Sequence, residues 1–516
     1  MPNTSFPHNV RAYVILAWLV TTFLLALASS SAAEERTLRV GVPLLLQPPD
    51  PVIGGFNAVN TGLAETLFKL GRDLQPEPWL ATGARRLDEH SWEITLQQGV
   101  QFHNGTPMDA TAVQASLERA VAKSPTAKVL LDIARLDVKG PFTLTITTNQ
   151  PTPILPALLA EPSSAIVDAT AAQSMGNAFT EKPVLTGPFK MERFQQDKEW
   201  VVVRHQAYWG PPPVVDRVRF IVLPDNLSRV LALQSGDIDI AHYLAPESVA
   251  TVQGTSSLAV VAAAPVALEY MYLNHRREPW KDARVRTAIA LAIDREVLVK
   301  GVMQGQGTVA TGPFPPAVLG CQQLQGHPYD PAQAKQLLGQ AGYQDHDGDG
   351  FVAKDGQTLT MTLVTYRQRP ELVPIAEAIQ ASLKTIGIKV AVRMVENINA
   401  ALEQRDWDGG LYFSNMATTG DPYWTLSQFF LSGGPANRGG FSSPRVDDLT
   451  RQVGQASDRQ ARERLACAAS QAIVDELAVI PLLSPMFNYG VSKNVVGFDA
   501  PHPFFLYFLD NKIGKR

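Results

Sequence analysis

Apolar and polar residues alternate along several short segments in the first half of the chain. Alternation places every second side chain on the same face, so each segment is expected to form a strand with one buried face. The pattern predicts strands at residues 37–42, 92–96, 142–147, 200–205 and 218–222. Apolar residues at helical spacing predict helices at 61–69, 109–121 and 226–234.

Strands and helices follow one another in the second half of the chain. The pattern predicts helices at 284–293, 295–301, 331–341, 373–386, 445–455 and 459–476, and strands at 358–365, 389–395 and 478–483. A strand, a helix and a second strand in succession are typical of an α/β layer with parallel strands. We therefore predict an α/β fold.

Length, composition and charge narrow the class of protein. With 516 residues, the chain is too long for one core and fits two or three lobes. Hydrophobic residues make up 45% of the chain and charged residues 18%, as in an ordinary folded protein. The formal net charge is −4, so we expect neither nucleic acid nor an anionic membrane surface as a partner.

The N-terminal residues have the pattern of a secretory signal peptide. Arg11 precedes an apolar run at 12–28, and small residues follow it at 29–33. No cysteine stands at the junction to carry a lipid, so cleavage after Ala33 predicts a freely diffusing periplasmic protein. The alternative is an uncleaved membrane anchor, for which the run is short. We predict a cleaved signal peptide at residues 1–33.

The chain contains two cysteines, Cys321 and Cys467. An oxidising compartment would allow them to form a disulfide bond. Two unrelated buried thiols are the alternative, since sequence alone cannot place their Cα atoms within bonding reach.

An acidic loop at 345–350 resembles a calcium-binding loop. Asp345, Asp347 and Asp349 supply oxygens at alternate positions, and Gly350 allows a sharp bend. Gly356 stands where an EF-hand would place its bidentate glutamate, so Asp355 is the candidate replacement ligand. A solvated acidic turn is the alternative reading of this loop.

Motifs for catalysis are missing from the sequence. It contains no Gly-x-Ser-x-Gly, no His-Glu-x-x-His and no Gly-Lys-Ser/Thr phosphate loop. The nine histidines are dispersed, with no pair at metal-ligand spacing. We therefore predict that the protein is not an enzyme and has no cofactor of its own, apart from the candidate calcium ion.

Eight stretches together resemble the family 5 substrate-binding proteins of ABC importers, the peptide- and nickel-binding group. They are VQFHNGTP (100–107), LERA (117–120), TGPFK (186–190), YWG (208–210), ALQSGDIDI (232–240), VRTAIALAID (285–294), GDP (420–422) and residues 437–446. They follow the family's order over nearly the whole chain after residue 33, so they indicate the family strongly and the ligand weakly.

The resemblance implies a two-lobed periplasmic-binding-protein fold, type II-like, with a hinge of crossing strands. Lobe 1 would comprise residues 34–265 and 484–516, and lobe 2 residues 266–483. A monomer would close on a small ligand and deliver it to an ABC permease and its ATPase in the inner membrane. A periplasmic sensor or peptide-binding chaperone on the same fold is the first alternative, and a secreted hydrolase is the second.

The resemblance also places the family's cleft near particular residues of this chain. The candidate ligand-binding residues are His242, Tyr243, Arg367, Arg369, Asn415, Thr418, Tyr423, Trp424 and Asn437. An arginine is suited to bidentate capture of a carboxylate, and aromatic rings would cover the ligand.

Two departures from the family's pattern bear on the ligand. Peptide receptors of the family place an aspartate just before the Gly-Asp-Pro element, where this chain has Thr418. Some nickel receptors use first-lobe arginines, and the matching residues 160–164 contain none. The stretch around Arg369 is similar to a branch assigned to nickel or metallophore uptake. A carboxylate-rich ligand, such as a metal chelate that brings its own nickel or other metal, is therefore favoured over a free peptide.

Overall fold

The computed structural model describes residues 36–43, 47–263, 266–416, 418–498, 507–509 and 511–516. The predicted signal peptide at 1–33 lies outside these residues and stays a prediction. Within them, no helix combines the length and the apolar character that a membrane span needs.

The largest sheet of the described residues has seven strands. In order of neighbours they are Leu258–Ala263, Phe487–Ser492, Ile240–Ala241, Thr37–Val42, Arg217–Val222, Glu199–Arg204 and Phe189–Gln195. The central strand, Thr37–Val42, runs parallel to both of its neighbours, with Leu38 opposite Val218 and Val40 opposite Ile240. Leu38 and Val40 are buried in alternation, as the sequence pattern predicts, and Gly41 and Val42 at the end of the strand are buried as well.

A second large sheet, with six strands in the described residues, is built from the second half of the chain. Its strands, in order, are Gly307–Val309, Val479–Pro485, Ala267–Leu273, Gly409–Asn415, Thr360–Tyr366 and Lys389–Val395. Ala267–Leu273 is buried at all seven positions, as a central strand covered on both faces must be. Thr360–Tyr366 runs parallel to Gly409–Asn415 and to Lys389–Val395.

Smaller sheets complete the strand content that the structure describes. An antiparallel sheet of four strands contains Ala81–Arg86, Ser91–Leu96, Thr143–Thr148 and Ile133–Gly140, and two-stranded pairs join Phe68–Leu70 to Pro76–Pro78, Ala353–Lys354 to Gln357–Thr358, and Val495–Val496 to Gly514–Lys515.

Helices cover the sheets, and side-chain caps begin most of the longer ones. The α-helices are Pro51–Asn60, Ala110–Lys123, Pro125–Leu131, Leu155–Leu158, Ala169–Met175, Ala178–Glu181, Asn226–Ser235, Pro246–Gln253, Ala283–Ala292, Arg295–Val297, Pro331–Gln340, Leu372–Thr385, Ile398–Glu403, Pro422–Thr425, Pro444–Gln455 and Arg459–Asp475. Short turns of other helix types lie at Pro162–Ser164, Leu298–Val302 and Leu426–Phe430. Asp109 accepts a hydrogen bond from the Ala112 amide, so its predicted role as a cap is confirmed.

The helix predicted at 61–69 is wrong. The structure places a helix before it, at Pro51–Asn60, and a strand at Phe68–Leu70. Leu63, Ala64 and Leu67 are all fully buried, so their helical spacing reflects packing of an irregular segment instead of a helix. Gly62, with φ of 69°, prevents continuation of the preceding helix.

Two large apolar clusters fill the molecule. The first draws on residues between Leu38 and Ala267 and again between Phe487 and Ile513, and the second on residues between Leu268 and Leu483. The chain thus passes between the two large sheets near residue 266 and returns near residue 486. The lobe limits of 265 and 484 stay a prediction.

Cys321 and Cys467 form a disulfide bond, with Cα atoms 5.5 Å apart. Of the two alternatives that the sequence left open, pairing is therefore the one that the structure contains. The bond fastens the loop before residue 331 to the long helix Arg459–Asp475.

Candidate functional site

A cavity of about 400 Å³ opens where the two large sheets meet. In the seven-stranded sheet, the parallel strands Thr37–Val42, Arg217–Val222 and Ile240–Ala241 end at the same edge. In the six-stranded sheet, the parallel strands Thr360–Tyr366 and Gly409–Asn415 also end at one edge. Ligands of α/β proteins bind outside the carboxyl ends of parallel strands, and here two such edges contribute to one cavity.

The lining residues come from both sheets and from one helix. From the strand edges come Val42, Pro43, Phe220, His242, Tyr243, Gln368, Arg369, Phe413, Asn415 and Phe487; from the segment 47–61 come Gln47, Ile53, Gly54, Gly55, Phe56, Asn57, Asn60 and Thr61; and Phe508 comes from near the C-terminus. Nine of the lining residues other than glycine are phenylalanine, tyrosine, valine, isoleucine or proline, so the wall is mainly apolar.

The helix Pro51–Asn60 is held close to the rest of the molecule by its glycines. A Cβ atom on Gly55 would lie 2.6 Å from the carbonyl oxygen of Pro162, and one on Gly54 would meet that of Pro48. Asp50 caps the helix and forms an ion pair with Arg119. These contacts fix the helix beside the cavity.

Arg369 is the charged group of the described lining. Its guanidinium carbon lies 3.5 Å from the centre of the Phe413 ring, and 5.3 and 5.6 Å from the rings of Tyr243 and Phe487. Stacking on aromatic faces holds a guanidinium in one orientation. Arg367 pairs with Glu396, whereas Arg369 has no ion-pair partner in the described part of the chain.

Two buried glutamates lie close to this arginine. Glu269 is 0% exposed and Glu371 is 3% exposed, and their carboxyl oxygens lack hydrogen-bond partners of good geometry. Burial, and then the charge of Glu371, raises the pKa of Glu269 well above its ordinary value. This shift favours the neutral form of Glu269 beside Arg369.

His242 and Tyr243 follow directly after the short strand Ile240–Ala241. Burial, and then the charges of Arg229 and Arg369, lowers the pKa of His242 to about 3, so its imidazole is neutral. Tyr243 has φ of 62°, and the buried side chain of Arg229 donates to its carbonyl oxygen over 2.9 Å. Unusual backbone conformations of this kind persist where the surroundings fix them.

Four of the predicted site residues share the cavity: His242, Tyr243, Arg369 and Asn415. Each follows or ends a strand whose carboxyl end faces the cavity. They were predicted because the resemblance to the family places its cleft near these strand ends.

The structure does not bring the other predicted residues into this lining. Arg367 is exposed and pairs with Glu396, and Asn437 is buried and donates to the carbonyl oxygens of Leu431 and Phe441. Thr418, Tyr423 and Trp424 belong to the chain around the short helix Pro422–Thr425, outside the described lining.

The Gly-Asp-Pro element has a structural role. Asp421 caps the helix Pro422–Thr425 by accepting from the Tyr423 amide over 2.8 Å, and it forms a buried ion pair with Arg462. Gly420 has φ of 69°, and a Cβ atom there would meet the carbonyl oxygen of Leu74.

Sequence reasoning missed most of the apolar wall. Phe413 stands two residues before Asn415 in one strand, so period-2 alternation would have placed both on the same face. Ile53 and Phe56 were missed because the helix was predicted too late in the chain. Phe220, Phe487 and Phe508 are distant in sequence, and no local signal joins them.

The acidic loop brings three predicted ligands together. Carboxylate oxygens of Asp345, Asp347 and Asp349 lie within 4.8 Å of one another, and all three residues are exposed. Asp355 is not part of this group; it lies in the turn between Ala353–Lys354 and Gln357–Thr358. Calcium binding stays a prediction, and so does its alternative, a solvated turn.

The chain matches a known family and its relatives over most of its length. The family model described as bacterial extracellular solute-binding proteins, family 5 Middle, matches residues 75–437. The glutathione-binding protein GsiB of Salmonella paratyphi A is 30% identical over 508 residues, which cover 94% of this chain and 96% of that protein. GsiB of Escherichia coli O157:H7 is 28% identical over 500 residues, covering 94% and 95% of the two chains.

Solved structures of similar fold cover 93% of the chain. NikA from Staphylococcus aureus, in complex with Ni(L-His)2, is 25% identical, with a TM-score of 0.84, and the match covers all of the NikA chain. The oligopeptide-binding protein AppA from Bacillus subtilis, in complex with a nonapeptide, is 24% identical, with a TM-score of 0.80, and the match covers 99% of the AppA chain. The predicted two-lobed α/β fold class is thereby confirmed.

Proposed function

Since the chain belongs to the bacterial extracellular solute-binding proteins of family 5, we propose that it is the periplasmic substrate-binding component of an ABC importer. It binds a small carboxylate-bearing ligand in the cavity between the two large sheets and presents it to a permease with its ATPase. It catalyses no reaction. The names of its relatives support this reading, because they are binding proteins for glutathione, for peptides and for a nickel–histidine complex.

The position of Arg369 is the single observation that carries the proposal. Its guanidinium lies against the Phe413 ring and lines a mainly apolar cavity. Removal of water strengthens a charge-assisted pair, and the planar fork of arginine matches the two oxygens of a carboxylate. Glutathione, peptides and histidine all carry such a group.

Ligand binding is proposed to close two lobes, residues 34–265 with 484–516 and residues 266–483. Tyr243 and His242 would contact the ligand from the first lobe, and Arg369 and Asn415 from the second. A ligand that contacts both lobes binds the closed form more tightly than the open form, so it shifts the population toward closure. The permease would recognise that closed form.

A pair of arginine variants tests the role of the cavity. The probes are glutathione, the dipeptide Met-Leu, N-acetyl-Met-Leu and Ni(L-His)2, each measured by isothermal titration calorimetry. We expect Arg369→Ala to weaken the best-bound probe about 10- to 100-fold, because a charge-assisted hydrogen bond contributes about 1.5–3 kcal/mol. Arg367→Ala, which removes an exposed arginine two residues away, is the matched control and should bind as the wild type does.

Two outcomes contradict the proposal. Equal losses in both variants would show that the cavity at Arg369 is not the site. Consumption of a probe during a long incubation would show that the protein is an enzyme.

A further inference from the structure

We propose that the ligand is an apolar carboxylate without a free ammonium group, such as an N-acylated amino acid or an N-acylated short peptide. The inference rests on the proposed function and narrows its ligand class. It departs from the expectation of a carboxylate-rich metal chelate.

The charges that line the cavity are the first support. Among the described lining residues, Arg369 is the one cation, and no aspartate or glutamate is present. The other polar groups are amides and a hydroxyl, from Gln47, Asn57, Asn60, Thr61, Gln368 and Asn415, together with His242 and Tyr243. The described cavity thus complements one negative charge and no positive charge.

The described glutamates close to Arg369 do not belong to the described lining. Glu269 and Glu371 are both buried, and neither is among the lining residues. An ammonium group that loses its water without an anionic partner is strongly disfavoured. A zwitterionic peptide would therefore bind less well than the same peptide with its amino group acylated.

The apolar wall is the second support. Ile53 is 52% exposed and Phe56 is 39% exposed, although both are large apolar side chains on the helix Pro51–Asn60 and both line the cavity. Phe220, Phe487 and Phe508 form a buried part of the same wall. Large exposed apolar groups beside a cavity mark a surface that an apolar partner covers.

The arrangement of the two features selects one occupant. Arg369 lies among Tyr243, Phe413 and Phe487, so the carboxylate would enter deeply, and the apolar body would extend toward Phe56 and Ile53. The cavity of about 400 Å³ falls within the range of roughly 300–1,000 Å³ for small-molecule sites, so it suits a compact ligand.

Four forms of one dipeptide test the inference by isothermal titration calorimetry at pH 7.5: Met-Leu, N-acetyl-Met-Leu, Met-Leu amide and N-acetyl-Met-Leu amide. We expect N-acetyl-Met-Leu to bind at least tenfold more tightly than Met-Leu. We also expect N-acetyl-Met-Leu amide, which lacks the carboxylate, to bind at least tenfold more weakly than N-acetyl-Met-Leu. Tighter binding of Met-Leu, glutathione or Ni(L-His)2 than of N-acetyl-Met-Leu overturns the inference and leaves the proposed function intact. Failure of all these compounds to bind contradicts both.

A pair of apolar variants gives a second readout. Phe56→Ala should weaken N-acetyl-Met-Leu at least fivefold with little change in thermal stability, because the side chain is partly exposed without the ligand. Leu227→Ala removes another exposed apolar side chain, at 62% exposure, outside the described lining, and should leave affinity unchanged. Equal affinities in the two variants would overturn the assignment of the apolar wall to the ligand.

Discussion

At the scale of single residues, the site combines an arginine that lines the cavity with two buried glutamates close to it. Glu269 stands in the fully buried strand Ala267–Leu273, directly opposite Phe413, whose ring supports Arg369. Burial raises the pKa of this carboxyl group well above its ordinary value, which favours its neutral form beside the arginine.

The same carboxyl group makes stability depend on pH. The pKa of Glu269 is raised in the folded protein, so the folded state keeps a proton that the unfolded chain loses above its ordinary pKa of 4.5. Its contribution to stability is complete below that value and is lost as the pH rises toward the folded pKa. Glu65, with a pKa raised by burial to about 7, acts in the same direction.

We predict that Glu269→Gln reduces the fall in the free energy of unfolding between pH 5 and pH 8, since the amide has no proton to lose. Urea denaturation at both pH values measures the difference. Glu377→Gln, at an exposed position of the helix Leu372–Thr385, is the control and should keep the wild-type dependence. A wild-type dependence in Glu269→Gln would mean that Glu269 is ionised in the folded protein.

At the scale of elements, the disulfide bond joins distant parts of the second apolar cluster. Cys321 and Cys467 are 146 residues apart, and a bond across so long a loop restricts the unfolded chain strongly. The bonded cysteines are not part of the described lining of the cavity.

We predict that the double variant Cys321→Ser/Cys467→Ser lowers the free energy of unfolding by about 2–5 kcal/mol and leaves ligand affinity unchanged. Urea denaturation and calorimetric titration provide the two readouts, with the wild type under reducing conditions as a control. A tenfold loss of affinity would place this bond in the mechanism of closure.

The turn that contains Gly420 brings two parts of the chain together. A Cβ atom there would meet the carbonyl oxygen of Leu74, which belongs to the proposed first lobe, while Gly420 belongs to the proposed second lobe. Gly433 has a similar φ, 76°, but no atom lies within 4 Å of its Cβ position. Variants at the two glycines therefore distinguish the cost of backbone strain from the cost of losing the contact between the two segments.

We predict that Gly433→Ala costs only the strain of a positive φ, about 1 kcal/mol, with unchanged ligand affinity. Gly420→Ala should cost more stability and weaken ligand binding at least threefold, because the turn can no longer approach Leu74. Thermal unfolding and calorimetric titration distinguish the two. Identical behaviour would show that the Gly420 contact has no part in closure.

Much of the secondary structure could be predicted from local pattern. The strand Lys389–Val395 agrees with the predicted 389–395, and the helix Arg459–Asp475 with the predicted 459–476, because each has a clear period and a cap or turn at its end. The segment at 61–69 failed because Leu63, Ala64 and Leu67 are buried by tertiary contacts instead of by one face of a helix.

The site could be predicted only in part, for a physical reason. The resemblance to the family predicted His242, Tyr243, Arg369 and Asn415, because its cleft falls near them, and each lies at or after the end of a strand. The aromatic wall depends on contacts across hundreds of residues, as between Phe220 and Phe508, with ring centres 6.3 Å apart. No local pattern encodes such contacts.

At the scale of the whole molecule, the chain crosses between the two large apolar clusters, and the cavity with Arg369 lies where the edges of their sheets meet. This arrangement lets one ligand contact both proposed lobes, which is the requirement for a receptor that signals by closing. Arg369 and the aromatic wall then decide which small molecules can stabilise the closed form.

Native mass spectrometry of the protein purified from its own host tests this account most directly, followed by denaturation to identify the released molecule. We predict that the wild type releases one equivalent of an intact small molecule that carries a carboxylate and has no free amine. The same molecule should be found with the Arg367→Ala variant and should be absent from the Arg369→Ala variant. A released molecule without an acidic group, or one retained equally by Arg369→Ala, would contradict the central claim.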